Sequence, residues 1–226
     1  LDVFYLGRDD GLIHRELRDL PTSGDRLGTA VGAVLNVAPL DPNDTSGWAA
    51  GQVNRATVKG NRITLDLSAS AFSQFKNGEQ VQRAIQQLVA TATAAVGDRT
   101  GDKSVRILVD GSPNLPIIGK PATDFVDEGF ARCARVWVDS PQAGADMSAG
   151  TITISGVAQP TVSVMSYEVR PPQSSRIITS GQINLSANDG DKWRPWHATF
   201  TMPKGEYDLI IREGTHIADE KVITAK

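Results

Sequence analysis

The sequence predicts an α+β domain followed by an all-β immunoglobulin-like sandwich. Three observations carry that prediction. Two stretches with helical apolar spacing occur, both ahead of Gly97. Strand-length runs surround them in the order ββαββαβ, the pattern of two helices packed on a sheet. From Arg135 onward the helical period disappears, and about seven short strand-like runs follow in ~90 residues, the spacing of a sandwich. The chain therefore divides into residues 1–130 and 131–226, with the boundary near Gly129 to Arg135.

Each element has a local reason. Val3 to Leu6 and Leu12 to Leu17 are strand-like and flank the turn Gly7 to Gly11, so they predict a hairpin. Pro21 to Asp25 supply several helix-cap candidates. After them Leu27, Val31, Val34, Leu35 and Ala38 make an apolar stripe at helical spacing, and Pro39 and Pro42 end it. Leu40 to Gly51 reads as a loop. Val53 to Val58 and the alternating Ile63, Leu65 and Leu67 predict a second hairpin around Lys59-Gly60-Asn61. Asn77-Gly78 opens the strongest helix, whose stripe is Val81, Ala84, Ile85, Leu88, Val89, Ala92 and Ala95, with Gly97 closing it. Val105 to Val109 is another strand.

In the second part the runs are Arg135 to Asp139, Thr151 to Val157, Val162 to Val169, Arg176 to Leu185, Trp196 to Met202, Tyr207 to Arg212 and Ile217 to Thr224. Turn residues such as Asn188-Asp189-Gly190 and Pro203-Lys204-Gly205 separate them. The paired cysteines of antibody domains are missing, so "immunoglobulin-like" describes shape here.

Composition narrows the function. The chain has 226 residues, 40% hydrophobic and 22% charged, enough for a core. Its net charge is -3, with 13 basic against 16 acidic residues up to Ala131 and 10 against 10 beyond it. Neither part carries a basic stripe in sequence, which argues against nucleic acid or an anionic membrane surface as partner. Cys133 is the single cysteine, so no intrachain disulfide, cysteine zinc cluster or iron–sulfur site can form. No stretch reaches the ~18 apolar residues of a membrane span. The chain starts at Leu1, without methionine and already inside a strand-like run, which suggests that a leader or lipid-anchored tether was trimmed.

The stretch "RILVDGSPNLPIIGKPATDF", Arg106 to Phe125, raises the question of a phosphate loop. A Walker A motif needs G-x-x-x-x-G-K-[ST] leading into a helix. Counting back from Gly119, the first glycine position holds Asn114, and the hydroxyl position after Lys120 holds Pro121, which has no amide hydrogen for a phosphate. The stretch reads instead as a strand, a turn at Asp110 to Pro113 and a return strand around Pro116 to Gly119.

The same stretch carries a family resemblance. "SVRILVDGSPN" behind a helix ending "IQQLVATATAA" resembles the closing half of the GerMN domain of bacterial sporulation and spore-germination proteins. "VFYLGRDDGLIHRELRDLP", "AVGAVLNVAPLDPNDTSGW" and "VNRATVKGNRITLDLSASAF" extend the resemblance over roughly residues 1 to 120. The pieces "VWVDSPQAGADMSAGTITISGVA", "SYEVR", "PWHATFTMPKGEYDLIIREG" and "KVITAK" resemble the immunoglobulin-like domain that follows GerMN in such proteins. Pro195-Trp196 stands where that domain is expected to have proline and phenylalanine. The resemblance implies an exported, envelope-associated protein, often a lipoprotein. It also implies a fold similar to ring-building motifs, hence a scaffolding or self-assembly role. No catalytic residue or cofactor comes with it.

His14, His197 and His216 lie far apart without H-x-H or H-x-x-x-H spacing, so three ordinary histidines are the plainer reading over a metal site. No G-x-S-x-G elbow exists, and Ser112 reads as a turn residue. Cys133 lacks a nucleophile's context and reads as an interdomain packing thiol. Asp41 to Gly47 and Asn188 to Asp191 cluster oxygen ligands but depart from a calcium-loop pattern, so turns are expected there. The remaining acids are expected on the solvated surface. Tryptophans are more telling. Trp196, Ala198, Phe200 and Met202 alternate and share a face, the expected core. Trp193 and Trp137 have the opposite parity, with Pro195 expected to interrupt the strand before Trp196. These two either stack on sugar rings or anchor a partner, or they pack at a seam or under a loop. The leading expectation is a non-enzymatic, extracytoplasmic envelope protein, lipid-anchored or secreted, contacting other envelope proteins or itself, without metal or cofactor. The alternative is a cell-wall glycan or peptidoglycan binding module.

Overall fold

The computed structural model describes residues 1–98, 101–113, 124–190 and 192–226. The chain forms two compact units, Leu1–Cys133 and Ala134–Lys226.

In the first unit β1 (Asp2–Gly7) and β2 (Ile13–Leu17) form the expected antiparallel hairpin, with Leu6 opposite Ile13. Helix α1 (Arg26–Asn36) starts where Asp25 accepts the Gly28 amide at 2.8 Å. The loop that follows contains a two-residue strand, β3 (Asp44–Thr45), which pairs with the end of β1. Strands β4 (Val53–Lys59) and β5 (Arg62–Leu67) form the second hairpin. Helix α2 (Gly78–Ala95) is capped by Asn77, which accepts the Gln80 amide at 3.0 Å, and Glu79 faces the positive end of its dipole. Because α2 carries the chain back across the sheet, β6 (Ser104–Val109) lies parallel to β5. Strand β7 (Asp124–Phe125) pairs with β6 on its other side.

These strands make two hydrogen-bonded sheets, β2-β1-β3 and β4-β5-β6-β7. One core unites them with the helices: Val3 and Tyr5, Val31 and Val34, Ile63 and Leu65, Leu88 and Val89, Val105 and Ile107 all belong to it. The indole of Trp48 meets Phe72 and Phe75 edge-on at 5.1 and 5.2 Å and donates to the Ala84 carbonyl at 2.8 Å, so its polar end is satisfied. The expected turn after β6 is tight. Asp110 and Gly111 both have positive φ, 48° and 79°, and Val109 and Ser112 close it by pairing. The return strand expected around Pro116 to Gly119 lies outside the described residues.

One expectation about this unit is overturned. Glu16 is 1% exposed rather than solvated. Its Oε1 accepts the amides of Leu40 and Asp41 at 2.7 and 3.0 Å, and Arg18 Nη1 donates to its Oε2 at 2.7 Å. A carboxylate can be buried when every oxygen is paired this way. Asp41 and Asp44 of this unit are buried as well, and so is Asp219 of the second.

The second unit is β8 (Val136–Ser140), β9 (Ala145–Met147), β10 (Gly150–Ala158), β11 (Met165–Arg170), β12 (Thr179–Leu185), β13 (Arg194–Met202), β14 (Gly205–Glu213) and β15 (His216–Ala225). Their order is β8-β10-β13-β12-β11-β14-β15-β9. Strand β12 is the link: Thr179 to Ile183 pair with β11, while Asn184 and Leu185 pair with β13. The sheet curls over one core in which Trp196, Ala198, Phe200 and Met202 are buried together, as their parity predicts. Tyr167 of β11 stacks on Phe200 of β13 at 4.8 Å. Opposite ends of the sheet meet through a side chain, since Asp219 on β15 accepts the Val138 amide of β8 at 3.0 Å and pairs with Lys221 at 3.1 Å. Strand β9, parallel to β15, had no counterpart in the sequence reading. Pro195 does not interrupt the ladder. Strand β13 starts at Arg194, and Pro195 sits opposite Val157 with its carbonyl accepting the Ser186 amide at 3.1 Å. A proline near a strand's start costs only its own missing donor.

Candidate functional site

Strand register brings the two singled-out tryptophans together. Trp137 of β8 stands opposite Val157 of β10, and Val157 stands opposite Pro195 of β13. Trp193 lies two residues before Pro195, so it belongs to the same face, away from the core face of Val136 and Val138. The rings stack with centroids 3.9 Å apart and planes at 26°. Trp137 is 4% exposed and lies at the base of the stack, while Trp193 is half-buried and lies against it. Trp137 thus presents no open face, and an indole platform at this position is Trp193.

The segment leading to Trp193 is fastened by its neighbour. Arg194 donates through Nε and Nη2 to the Ser186 carbonyl, at 3.0 and 2.7 Å, and through Nη1 to the Val162 carbonyl at 2.7 Å. Asn188 donates to the Pro160 carbonyl at 3.3 Å. Lys192, next to Trp193 in the chain, pairs with Asp189 at 3.2 Å, and both side chains are exposed. Nothing in the local sequence distinguishes Arg194 from a surface arginine. Its role comes from two carbonyls contributed by other parts of the chain.

A second feature of this unit is an open cleft of about 530 Å³ lined by Asp139, Gln142, Asp146, Ser148, Thr151 and Thr153, among others. Asp146 is paired there with Lys226. In the first unit, β4 forms an edge of its sheet and pairs with β5 alone among the described strands. Asn54, Arg55, Val58 and Lys59 are exposed along it.

The other candidates fall into structural roles. Cys133 is buried, and burial, followed by the charge of Asp127, pushes its thiol up to about 12. It is a packing thiol, with its backbone bridged to Ile13. His14 lies 3.3 Å from Asp10, whose carboxyl is held below its ordinary value chiefly by that hydrogen bond. His197 and His216 are exposed on other strands. Among the described residues no group of three or more His, Cys, Asp or Glu side chains converges as a metal set would. In the loop after α1, Asp41 accepts the Asn43 amide at 2.9 Å, the local turn bond expected of such a sequence. Asp191 of the second acidic loop lies outside the described residues.

The family profile described as Germane, sporulation and spore germination, matches residues 2–115, just over half of the chain. Among solved structures, the first GerMN domain of the sporulation protein GerM from Bacillus subtilis is similar over 56% of this chain and 96% of that one, at 16% identity and a TM-score of 0.44. The tandem GerMN domains of the same protein are similar over 89% of this chain at 14% identity and a TM-score of 0.46, and this chain spans 60% of their length. An engineered protein is similar over 63% of this chain and 36% of that one, at 18% identity and a TM-score of 0.30. No curated protein matches. By the extent of the profile match, the chain belongs to the Germane (GerMN) family of sporulation and spore germination.

Proposed function

We propose that this chain is a non-enzymatic scaffold or assembly protein of the cell envelope that acts through protein–protein contacts, with itself or with other envelope proteins. The observation that carries this reading is the family match over residues 2–115. Two further features support it. The one thiol is buried and raised to about 12, which suits packing and not attack. Most buried carboxylates of the first unit hold backbone, as Glu16 does for Leu40 and Asp41. The protein is exported and held at the envelope by a lipid anchor or secreted. The test is fractionation and crosslinking on intact cells, combined with light scattering of the purified protein. Envelope recovery with a discrete crosslinked neighbour or self-adduct is the expected result. A cytoplasmic monomer with no crosslinked product overturns the reading.

The stacked indoles favour one alternative, a module that binds cell-wall glycan. A half-buried indole backed by a second ring, in a segment that also carries Asn188, Asp189 and Lys192, offers an apolar plate among polar residues, the chemistry that sugars stack on. Retention on purified peptidoglycan that disappears in Trp193→Ala supports this second reading. Equal retention of both proteins, or none of either, removes it.

A further inference from the structure

The first unit carries an open sheet edge whose two faces differ in chemistry. Among the described residues β4 has one hydrogen-bonded neighbour, so its other side offers backbone donors and acceptors to an incoming strand. A register shift between Val53 and Arg55 confines irregularity to the start and leaves Arg55 to Lys59 regular. Along this stretch Arg55, Thr57 and Lys59 share the face turned away from the core, and Ala56 and Val58 share the core side. Val58 is 46% exposed although it stands opposite the fully buried Ile63. The core side of the edge is therefore apolar and half-covered.

The outer face is electrically lopsided. Arg55, Lys59, Arg62 and Arg106 stand against Asp66 and Asp124, in a domain whose acids outnumber its bases overall. Lys59 stands directly opposite Arg62, an arrangement of like charges that disfavours a sheet pair. Arg62 is drawn off by Asp124, to which it donates at 2.7 and 3.0 Å. Lys59 and Arg55, about 13 Å apart along the strand, have no ion-pair partner among the described residues.

From these observations we infer that β4 docks an extended segment of another protein in which acidic and apolar residues alternate. Added beside β4, such a strand places its acids next to Arg55 and Lys59 and its apolar side chains next to Ala56 and Val58. A second copy of β4 is the wrong partner, because antiparallel self-pairing sets Arg55 and Lys59 against one another. The charge pattern thus selects an acidic strand while guarding the edge against itself. This inference goes beyond the scaffold reading by naming a surface and a ligand chemistry, and its failure leaves that reading standing.

The test uses the whole chain and a fluorescent hexapeptide, acetyl-Val-Glu-Val-Glu-Val-Glu-amide, followed by anisotropy, with amide hydrogen exchange on β4. The expected result is saturable binding that slows exchange at Arg55 to Lys59 and weakens with salt. R55E/K59E weakens it roughly tenfold and instead binds the peptide with Lys in place of Glu. A peptide of the same composition with its glutamates in one block binds less, and so does one N-methylated at alternate amides. Equal binding of the block peptide, or of inorganic polyphosphate with no change in β4 exchange, overturns the strand mode. Absence of binding overturns the proposal, and self-association of R55E alone, whose new carboxylate would face Lys59 of a second copy, then shows that the charges only guard the edge.

Discussion

Gly156 is where the second unit has least room, and replacing it with alanine gives a sharp prediction. An ideal Cβ there would lie 2.0 Å from the Trp137 carbonyl oxygen and 2.5 Å from Cζ2 of Trp196. The indole can tilt, but the carbonyl is backbone, so β8 must move away by about 1 Å before contact becomes tolerable. The lower bound is the ordinary cost of overpacking, about 1–3 kcal/mol. The upper bound is detachment of β8, which would expose Val136 and Val138, now 0% and 1% exposed, at roughly 1.5–3 kcal/mol each. A loss near 3 kcal/mol satisfies both bounds and corresponds to a fall in Tm on the order of 15 °C for a domain of this size. Tryptophan fluorescence during urea unfolding reads it, because Trp137, Trp193 and Trp196 all lie in this unit. The native spectrum should change too, since moving β8 shifts Trp137 against Trp193. In a Trp196→Phe background the loss should persist, because the backbone clash is untouched. A loss below about 1 kcal/mol, or its disappearance in that background, refutes the reasoning.

Other perturbations test other parts. Trp193→Ala should cost about 2 kcal/mol, from a half-buried ring and its stacking, and a double-mutant cycle with Trp137→Phe should show coupling of about 0.5–1.5 kcal/mol. Glu168 is pushed up by partial burial, but bonds from Arg212 and the charges of Arg212 and Arg170 outweigh that and hold its carboxyl below the ordinary value. Its contribution is therefore present above the unfolded carboxyl value of ~4.3 and lost as pH falls through the lower folded value. The stability gap between wild type and Glu168→Gln, read by urea melts, should accordingly be constant near neutrality and close in acid. Cys133, with its thiol raised to about 12, should resist alkylation at pH ~8 in the native protein and react in denaturant. Rapid native labelling would show that its burial is wrong.

Elements with a strong period were legible. The stripe from Val81 to Ala95 and the cap at Asn77 describe α2 almost to the residue, because helical spacing and capping are local. The alternation of Trp196 to Met202 likewise gave the core face of β13. Short strands were not legible: Asp44–Thr45 and Ala145–Met147 are too brief to show alternation and exist because a partner strand lies beside them. Buried charge escaped as well. Glu16 looks like any strand glutamate until the 40–41 amides arrive from 24 residues away.

The sequence alone determined that two helices and a run of longer strands form, which face of each is apolar, and that Trp137 and Trp193 share the parity opposite the core. Those properties depend on neighbours within a few residues. Tertiary structure decided that the two indoles touch, through the register Trp137, Val157, Pro195 across three strands. It also decided that Arg55 and Lys59 lie on an edge, because the parallel crossover through α2 puts β6 on the far side of β5. Strand order and register are set by how distant apolar faces share a core, and no local pattern encodes that.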